Sequence, residues 1–309
     1  MRAAVISQLG RPPEPVELNE PAATADHVVV DVLAAPITPL DLLCASGTSY
    51  FGAPATPYVP GVQGVGTVGG RAVWFPTSAG MAAGDGSMAE KALVRQEDLV
   101  FLPDEVAPVA MAALGLSAVA AHLALTWRGE LKPGECVIVL GCGAVGQAAI
   151  QLARIAGAGH VAVAARSAAA RERAARAGAD TVIALDDNDL AAQLPAADLL
   201  LDPLFGPPAA AAARALRPGG RWVNLGSSAG ETCPVTSSTL RGRSLRLSGY
   251  TNNELSPRQR AEAISAVAHL AARGRLRVDH EVVPLDDVTA AWQRQSAGTT
   301  RGRIVLVPA

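Results

Sequence analysis

Residues 136–157 read CVIVLGCGAVGQAAIQLARIAG: an apolar strand, a glycine-rich turn and the opening of a long helix. The turn, Gly141-Cys142-Gly143-Ala144-Val145-Gly146, has GxGxxG spacing, and each glycine has a physical task. The first permits a tight turn, the second lets backbone approach a pyrophosphate, and the third lets the helix pack close to its strand. The helix start then offers unpaired N–H groups and the positive end of its dipole to an anion. Strand, glycine turn and helix in this order constrain the chain to a doubly wound parallel sheet with a dinucleotide at the helix start.

The surrounding sequence supports that sheet. From about residue 110 apolar strand-like runs alternate with helical ones. HVAVAAR (160–166), TVIAL (181–185), DLLLDPL (198–204), RWVNLG (221–226) and SLRLSGY (244–250) follow at similar intervals. Nearly all-apolar strands alternating with helices predict a parallel sheet covered on both faces.

The first hundred residues differ. HVVVDVLAAPI (27–37), VGTVGGRAVWF (65–75) and MAEKALV (88–94) are short Val-rich runs separated by Gly and Pro, the pattern of a small barrel or sandwich. After Tyr250, Ser256-Pro257 reads as a helix cap with proline at the first helical position, and Gly274 closes that helix. Asp286 is expected to cap a second helix, and Arg303 to Val307 to form a closing strand. This tail is too short to fold alone. The expected division is therefore a β-rich domain from residues 1–117 and 252–309, with a Rossmann domain, 118–251, inserted between them.

Composition narrows the function. The 26 Lys+Arg nearly balance 28 Asp+Glu, which argues against a polybasic nucleic-acid binder. Half of the 309 residues are apolar, enough for sizeable cores. Cys44, Cys136, Cys142 and Cys233 form no CxxC pair, so neither a disulfide framework nor a zinc ribbon is expected. The start, MRAAVISQLGRPPEP, lacks a signal-peptide pattern, and the uncharged run 106–127 reads as a buried segment. A soluble, cytoplasmic protein is expected.

Sequence also speaks to the choice of dinucleotide. NAD-binding versions of this turn carry an acid about 20 residues onward, for the ribose 2′-hydroxyl. Here Arg166 and Ser167 stand there, Arg171 follows, and no Asp or Glu occurs from 136 to 171. Cationic donors suit a 2′-phosphate, so NADPH is the expected cofactor.

At this point the chain resembles the medium-chain dehydrogenase/reductase superfamily, and within it the zinc-independent, ζ-crystallin-like quinone oxidoreductases. The resemblance is carried by PYVPGVQGVGTV (57–68), GSMAEKALV (86–94), AALGLSAVAAHLAL (112–125), LKPGECVIVLGCGAVGQAAIQLARIAGA (131–158), RAGAD (176–180), LRPGGRWVNLG (216–226) and RGRIVL (301–306). It implies an α/β fold in which a GroES-like catalytic domain, built from both chain ends, surrounds the inserted Rossmann domain. The zinc-dependent relatives place a Cys where this chain has Thr38, and Gly-His-Glu where it has Gly61-Val62-Gln63. Nothing in 111–118 replaces their third ligand, so no metal is expected.

The resemblance implies hydride transfer from NADPH to a quinone or α,β-unsaturated carbonyl, whose electron sink needs no Lewis acid. Thr38, Asp41 and Tyr50 are the candidate catalytic residues, with Tyr50 as proton donor. Gly141, Gly143, Ala144, Val145, Gly146, Arg166, Ser167, Arg171, Gly226 and Ser227 are the candidate cofactor contacts. Family members pair through the last strand of the Rossmann sheet, so a homodimer through 244–250 is expected. The other readings are a cofactor-binding accessory or regulatory protein with little catalysis, and a biosynthetic enoyl reductase acting on one complex intermediate.

Overall fold

The computed structural model describes residues 1–185 and 189–308. The chain divides into two compact units, Met1–Gly115 with Ser256–Ala309, and Leu116–Leu255. The second unit begins two residues before, and ends four residues after, the stretch 118–251 read from the sequence.

The first unit opens with a hairpin-like pair, β1 (Arg2–Val5) and β2 (Glu14–Glu17). β3 (His27–Pro36) follows, then α1 (Pro39–Ser46), β4 (Gln63–Val68), β5 (Arg71–Pro76), β6 (Lys91–Arg95) and β7 (Val100–Phe101). The long apolar helix α2 (Pro108–Leu123) starts in this unit and breaks at Gly115, with φ 27° and ψ −130°. A Cβ at Gly115 would stand 2.0 Å from the Gln63 side-chain oxygen, which explains why the break is a glycine. Met111, Leu114, Ala118 and Val119 are fully buried, so α2 is a core helix.

Thereafter the second unit alternates strand and helix. Its elements are β8 (Cys136–Leu140), α3 (Ala144–Ile155), β9 (His160–Ala165), α4 (Ala168–Arg176), β10 (Thr181–Ala184), α5 (Leu190–Gln193), β11 (Ala197–Asp202), α6 (Gly206–Ala213), β12 (Leu216–Asn224), α7 (Ser237–Gly242) and β13 (Arg246–Gly249). They form a six-stranded parallel sheet in the order β10-β9-β8-β11-β12-β13. Counted from β8, that is the 3-2-1-4-5-6 order of a Rossmann sheet. β8 is buried along its whole length, as a central strand covered on both faces must be. Ile138, Leu140, Leu200 and Trp222 build the core on one face.

The tail returns to the first unit. α8 (Pro257–Ala272) begins with Ser256 in a capping box with Gln259 and Pro257 in its first turn, as the sequence predicts. β14 (His280–Pro284), α9 (Val288–Ser296) and β15 (Arg303–Val307) complete it. The expected cap at Asp286 is corrected: a 3-10 turn spans Leu285–Asp287, and the Asp286 carboxylate accepts from the Arg2 Nε at 2.9 Å. A cation fixed in β1 outcompetes the local cap. β15 pairs with β3, giving the mixed sheet β14-β15-β3-β4-β5-β7, with β6 also paired to β3.

Candidate functional site

The sheet order of the second unit reverses between β8 and β11, and ligands of such sheets bind outside the strands' carboxyl ends at that reversal. Gly141 leaves β8 with φ +75°. A Cβ at Gly146 would lie 2.2 Å from the Gly141 carbonyl oxygen, so only glycine lets α3 start this close to its strand. Gly143 is different: it is exposed, and a Cβ there would meet no atom of the described residues within 4 Å beyond its chain neighbours. It is the N-cap of α3 and supplies no side-chain cap. The turn is therefore tight where it touches the sheet and open where a ligand would approach. Ala144 and Val145 form the first turn of α3 behind it. These residues fit a pyrophosphate, because unpartnered helix-start N–H groups face a gap that no side chain fills.

The far side of the turn is cationic. Arg166 is exposed at the end of β9. Ser167 caps α4, its hydroxyl accepting from the Ala170 N–H at 3.1 Å. Arg171 donates from Nη1 to the carbonyls of Ala165 (3.2 Å) and Arg166 (2.6 Å), so it shapes the β9–α4 turn that presents Arg166. Sequence reading missed Arg173, whose Nε donates to the Cys142 carbonyl at 3.3 Å and ties α4 to the glycine turn. Its place two residues after Arg171 gives no signal of that reach.

Behind Gly226 and Ser227 lies a second group that the sequence did not single out. Asp202, wholly buried at the end of β11, accepts from the Leu204 and Phe205 backbone (2.9 and 2.8 Å) and from Trp222 Nε1 (2.8 Å). Asn224 donates from Nδ2 to Asp202 Oδ2 (3.3 Å) and to the Gly226 carbonyl (2.8 Å). A Cβ at Gly226 would stand 2.7 Å from the Pro203 carbonyl oxygen. Asp202 and Asn224 thus fix the two loops, 203–205 and 225–227, at the sheet's carboxyl ends. Ser227 is exposed there.

Thr38 and Asp41 are brought together, but as structure. Thr38 caps α1, and Asp41 returns the bond in a capping box. Asp41 Oδ2 accepts from the Thr38 N–H (2.8 Å) and hydroxyl (2.6 Å), while Oδ1 accepts from the Gly61 (3.1 Å) and Val62 (2.9 Å) N–H groups. Burial pushes the Asp41 carboxyl up, opposed by Thr38, the Val62 N–H and the Arg303 charge. Burial likewise lowers Arg303 to about 10, opposed by Asp41, and its Nη1 donates to the Ile37 carbonyl at 2.8 Å. Tyr50 joins neither: it is 74% exposed and its ring packs on Phe51, with centroids 4.4 Å apart.

The same segment is a poor metal site. Gln63 Oε1 accepts from Trp74 Nε1 at 3.0 Å, Thr38 is held by its cap, and Val62 offers no donor atom. Among the described residues no group of three or more His, Cys, Asp or Glu is placed to hold a metal ion.

Comparison with known proteins agrees with this layout. A family model described as zinc-binding dehydrogenase matches residues 144–269, a span that excludes Thr38, Val62 and Gln63. The quinone oxidoreductase of Thermus thermophilus, solved alone and with NADPH, is 30% identical; the match covers 99% of this chain and 100% of that one, with a TM-score of 0.83. A mycobacterial quinone oxidoreductase shares the fold with a TM-score of 0.88 at 21% identity, covering 100% of both chains. The mitochondrial enoyl-(acyl-carrier-protein) reductase of Rattus norvegicus is 28% identical over 95% of this chain and 85% of its own. The chain belongs to the quinone oxidoreductase-like branch of the medium-chain dehydrogenase/reductase superfamily, a family of oxidoreductases.

Proposed function

We propose that this protein is an NADPH-dependent reductase of quinones or α,β-unsaturated carbonyls that works without zinc. The observation that carries the reading is the open turn at Gly143 after β8, the exposed Arg166 after the neighbouring strand β9, and the lack of any acid from 136 to 171 to repel a 2′-phosphate. When bound, the cofactor supplies the hydride; the chain's residues hold and shield it. The α3 start takes the pyrophosphate, Arg166 takes the 2′-phosphate, and Arg171 and Arg173 keep the turn that presents them. Asp202 and Asn224 hold the loop of Gly226 and Ser227 against the rest of the cofactor.

Two relatives support the acceptor class. One is named a quinone oxidoreductase and the other an enoyl reductase. Both names describe hydride addition to a conjugated system, whose developing negative charge is spread over the acceptor. Thr38 and Asp41 serve this reading as positioning residues for the 36–63 segment, since their polar atoms bind one another and nearby backbone. The donor set at Thr38, Val62 and Gln63 gives zinc no site, so acceptors with their own electron sink are the ones expected.

The active form is proposed to be a cytoplasmic homodimer paired through β13. That strand ends the parallel sheet and leaves Leu247 44% exposed, and an unpaired edge is a template for a second strand. Sedimentation of the wild type and of Leu247→Glu tests this: a dimer that becomes monomeric on substitution supports it, and a wild-type monomer at all concentrations contradicts it.

Turnover tests the main reading. NADPH oxidation that saturates with a quinone or an enone, and survives dialysis against a zinc chelator, is expected. Tight NADPH binding with no turnover across such a panel would contradict it and favour a sensor or accessory role.

A further inference from the structure

Within the first unit a cavity of about 390 Å³ lies between the segment from Phe51 to Tyr58 and the turn from Gly80 to Asp85. Apolar side chains, Phe51, Pro54, Pro57, Met81 and Ala82, share its walls with a nearly equal polar surface. That size is within the range of small-molecule sites. The one acid on its lining, Asp85, accepts from the Val59 N–H at 2.8 Å and disfavours an anionic occupant.

Tyr58 also lines this cavity and is only 7% exposed. Its backbone is fixed by paired bonds with Ile6 (3.2 and 2.9 Å), yet its hydroxyl meets no hydrogen-bond partner among the described residues. A buried hydroxyl left unmatched is costly, and native structures rarely keep one. Gly80 lies over that hydroxyl: a Cβ there would stand 3.3 Å from it and 2.6 Å from Cys44 Cβ. Gly80 and Gly84 both have positive φ, +74° and +131°, so the covering turn is built on two glycines. Burial, with Cys44 and Asp41 nearby, holds the phenol above its ordinary range, so it is a donor at neutral pH.

We propose that this cavity takes a neutral, planar, mostly apolar molecule with a carbonyl oxygen, a quinone or enone, and that the Tyr58 hydroxyl donates to that oxygen once the Gly80 turn shifts. This rests on the proposed function, and it assigns to Tyr58 the substrate hydrogen bond that the sequence pointed to at Tyr50. The neutral class follows from Asp85, the one acid on the lining, and the oxygen from the unmatched donor.

The test uses duroquinone, whose ring has no position free to react with thiols, and p-xylene, which has no oxygen. Both are titrated into the full-length protein without NADPH, with heat or Tyr fluorescence as the readout. Tyr58→Phe is expected to weaken duroquinone roughly five- to tenfold, the size of one hydrogen bond, and to leave p-xylene unchanged. Because the hydroxyl is unmatched, Tyr58→Phe is also expected to melt no lower than wild type. Ala82→Trp, at an exposed position on the cavity wall, is expected to block both probes. Equal duroquinone affinity in wild type and Tyr58→Phe, or binding untouched by Ala82→Trp, overturns the proposal. NADPH oxidation in the same variants separates it from the reading it rests on. Full duroquinone turnover in both variants removes the cavity and keeps the reductase, whereas duroquinone binding that follows the variants without any turnover supports the cavity and removes the reductase.

Discussion

Two stretches that the sequence marks as chemical, the glycine turn 141–146 and the segment 38–63, are built on opposite plans. In the turn, Gly143 is exposed, its side-chain position is empty and the helix start lacks a side-chain cap. In the other, Thr38, Asp41, Gly61 and Val62 bind one another until both carboxylate oxygens are used. The first has donors waiting for a partner from outside; the second has spent its donors inside. A polar residue in a family's chemical segment is thus a candidate only until its partners are known. A glycine whose Cβ would fill open space remains one afterwards.

Substitutions can break this contrast, beginning with the closed segment. Asp41→Ala leaves two backbone N–H groups, the Thr38 cap and buried Arg303 without their carboxylate. A loss of about 2–4 kcal/mol is expected in denaturant unfolding, as for buried donors left without their acceptor. Lost activity with unchanged stability would instead show a chemical role. Gly146→Ala places a Cβ 2.2 Å from the Gly141 carbonyl, and about 1–3 kcal/mol of stability should go with the strain.

Arg166→Ala sharpens the open side. A charge-assisted hydrogen bond is worth about 1.5–3 kcal/mol, so NADPH affinity should fall by about 10- to 150-fold while NADH affinity barely changes. Arg171→Ala should weaken both cofactors, since Arg171 holds the backbone of the turn itself. Equal losses for both cofactors on Arg166→Ala would contradict the 2′-phosphate assignment. The smallest effect belongs to Tyr50→Phe. Proton donation from Tyr50 would cost ~10²–10⁴-fold on removal, but a phenol that is 74% exposed competes with water, and less than tenfold is expected in enone turnover.

The fold was legible because its signals are local and periodic. The strand before Gly141, the cap at Ser256 and the closing strand from Arg303 each follow from short patterns, and the structure has all three. The site was legible only where backbone makes it. Arg173 reaches Cys142, and Asp202 holds Trp222 and Asn224, all partners distant in the chain that no spacing rule announces. Asp286 failed for a similar reason: its partner Arg2 stands 284 residues away. Tyr58 gave no sign, since an unmatched hydroxyl is a property of its surroundings.

If the α3 start is left open for a pyrophosphate, Gly143→Ser should close it. Serine is a good N-cap, so its hydroxyl would take the helix-start N–H that the ligand needs. Among the described residues nothing beyond the chain neighbours lies within 4 Å of the new Cβ, so the melting temperature should stay the same or rise. NADPH and NADH titrations should then both show affinities at least about tenfold weaker than wild type, the scale of one lost charge-assisted hydrogen bond. An unchanged melting temperature with wild-type affinity for both cofactors would contradict the account.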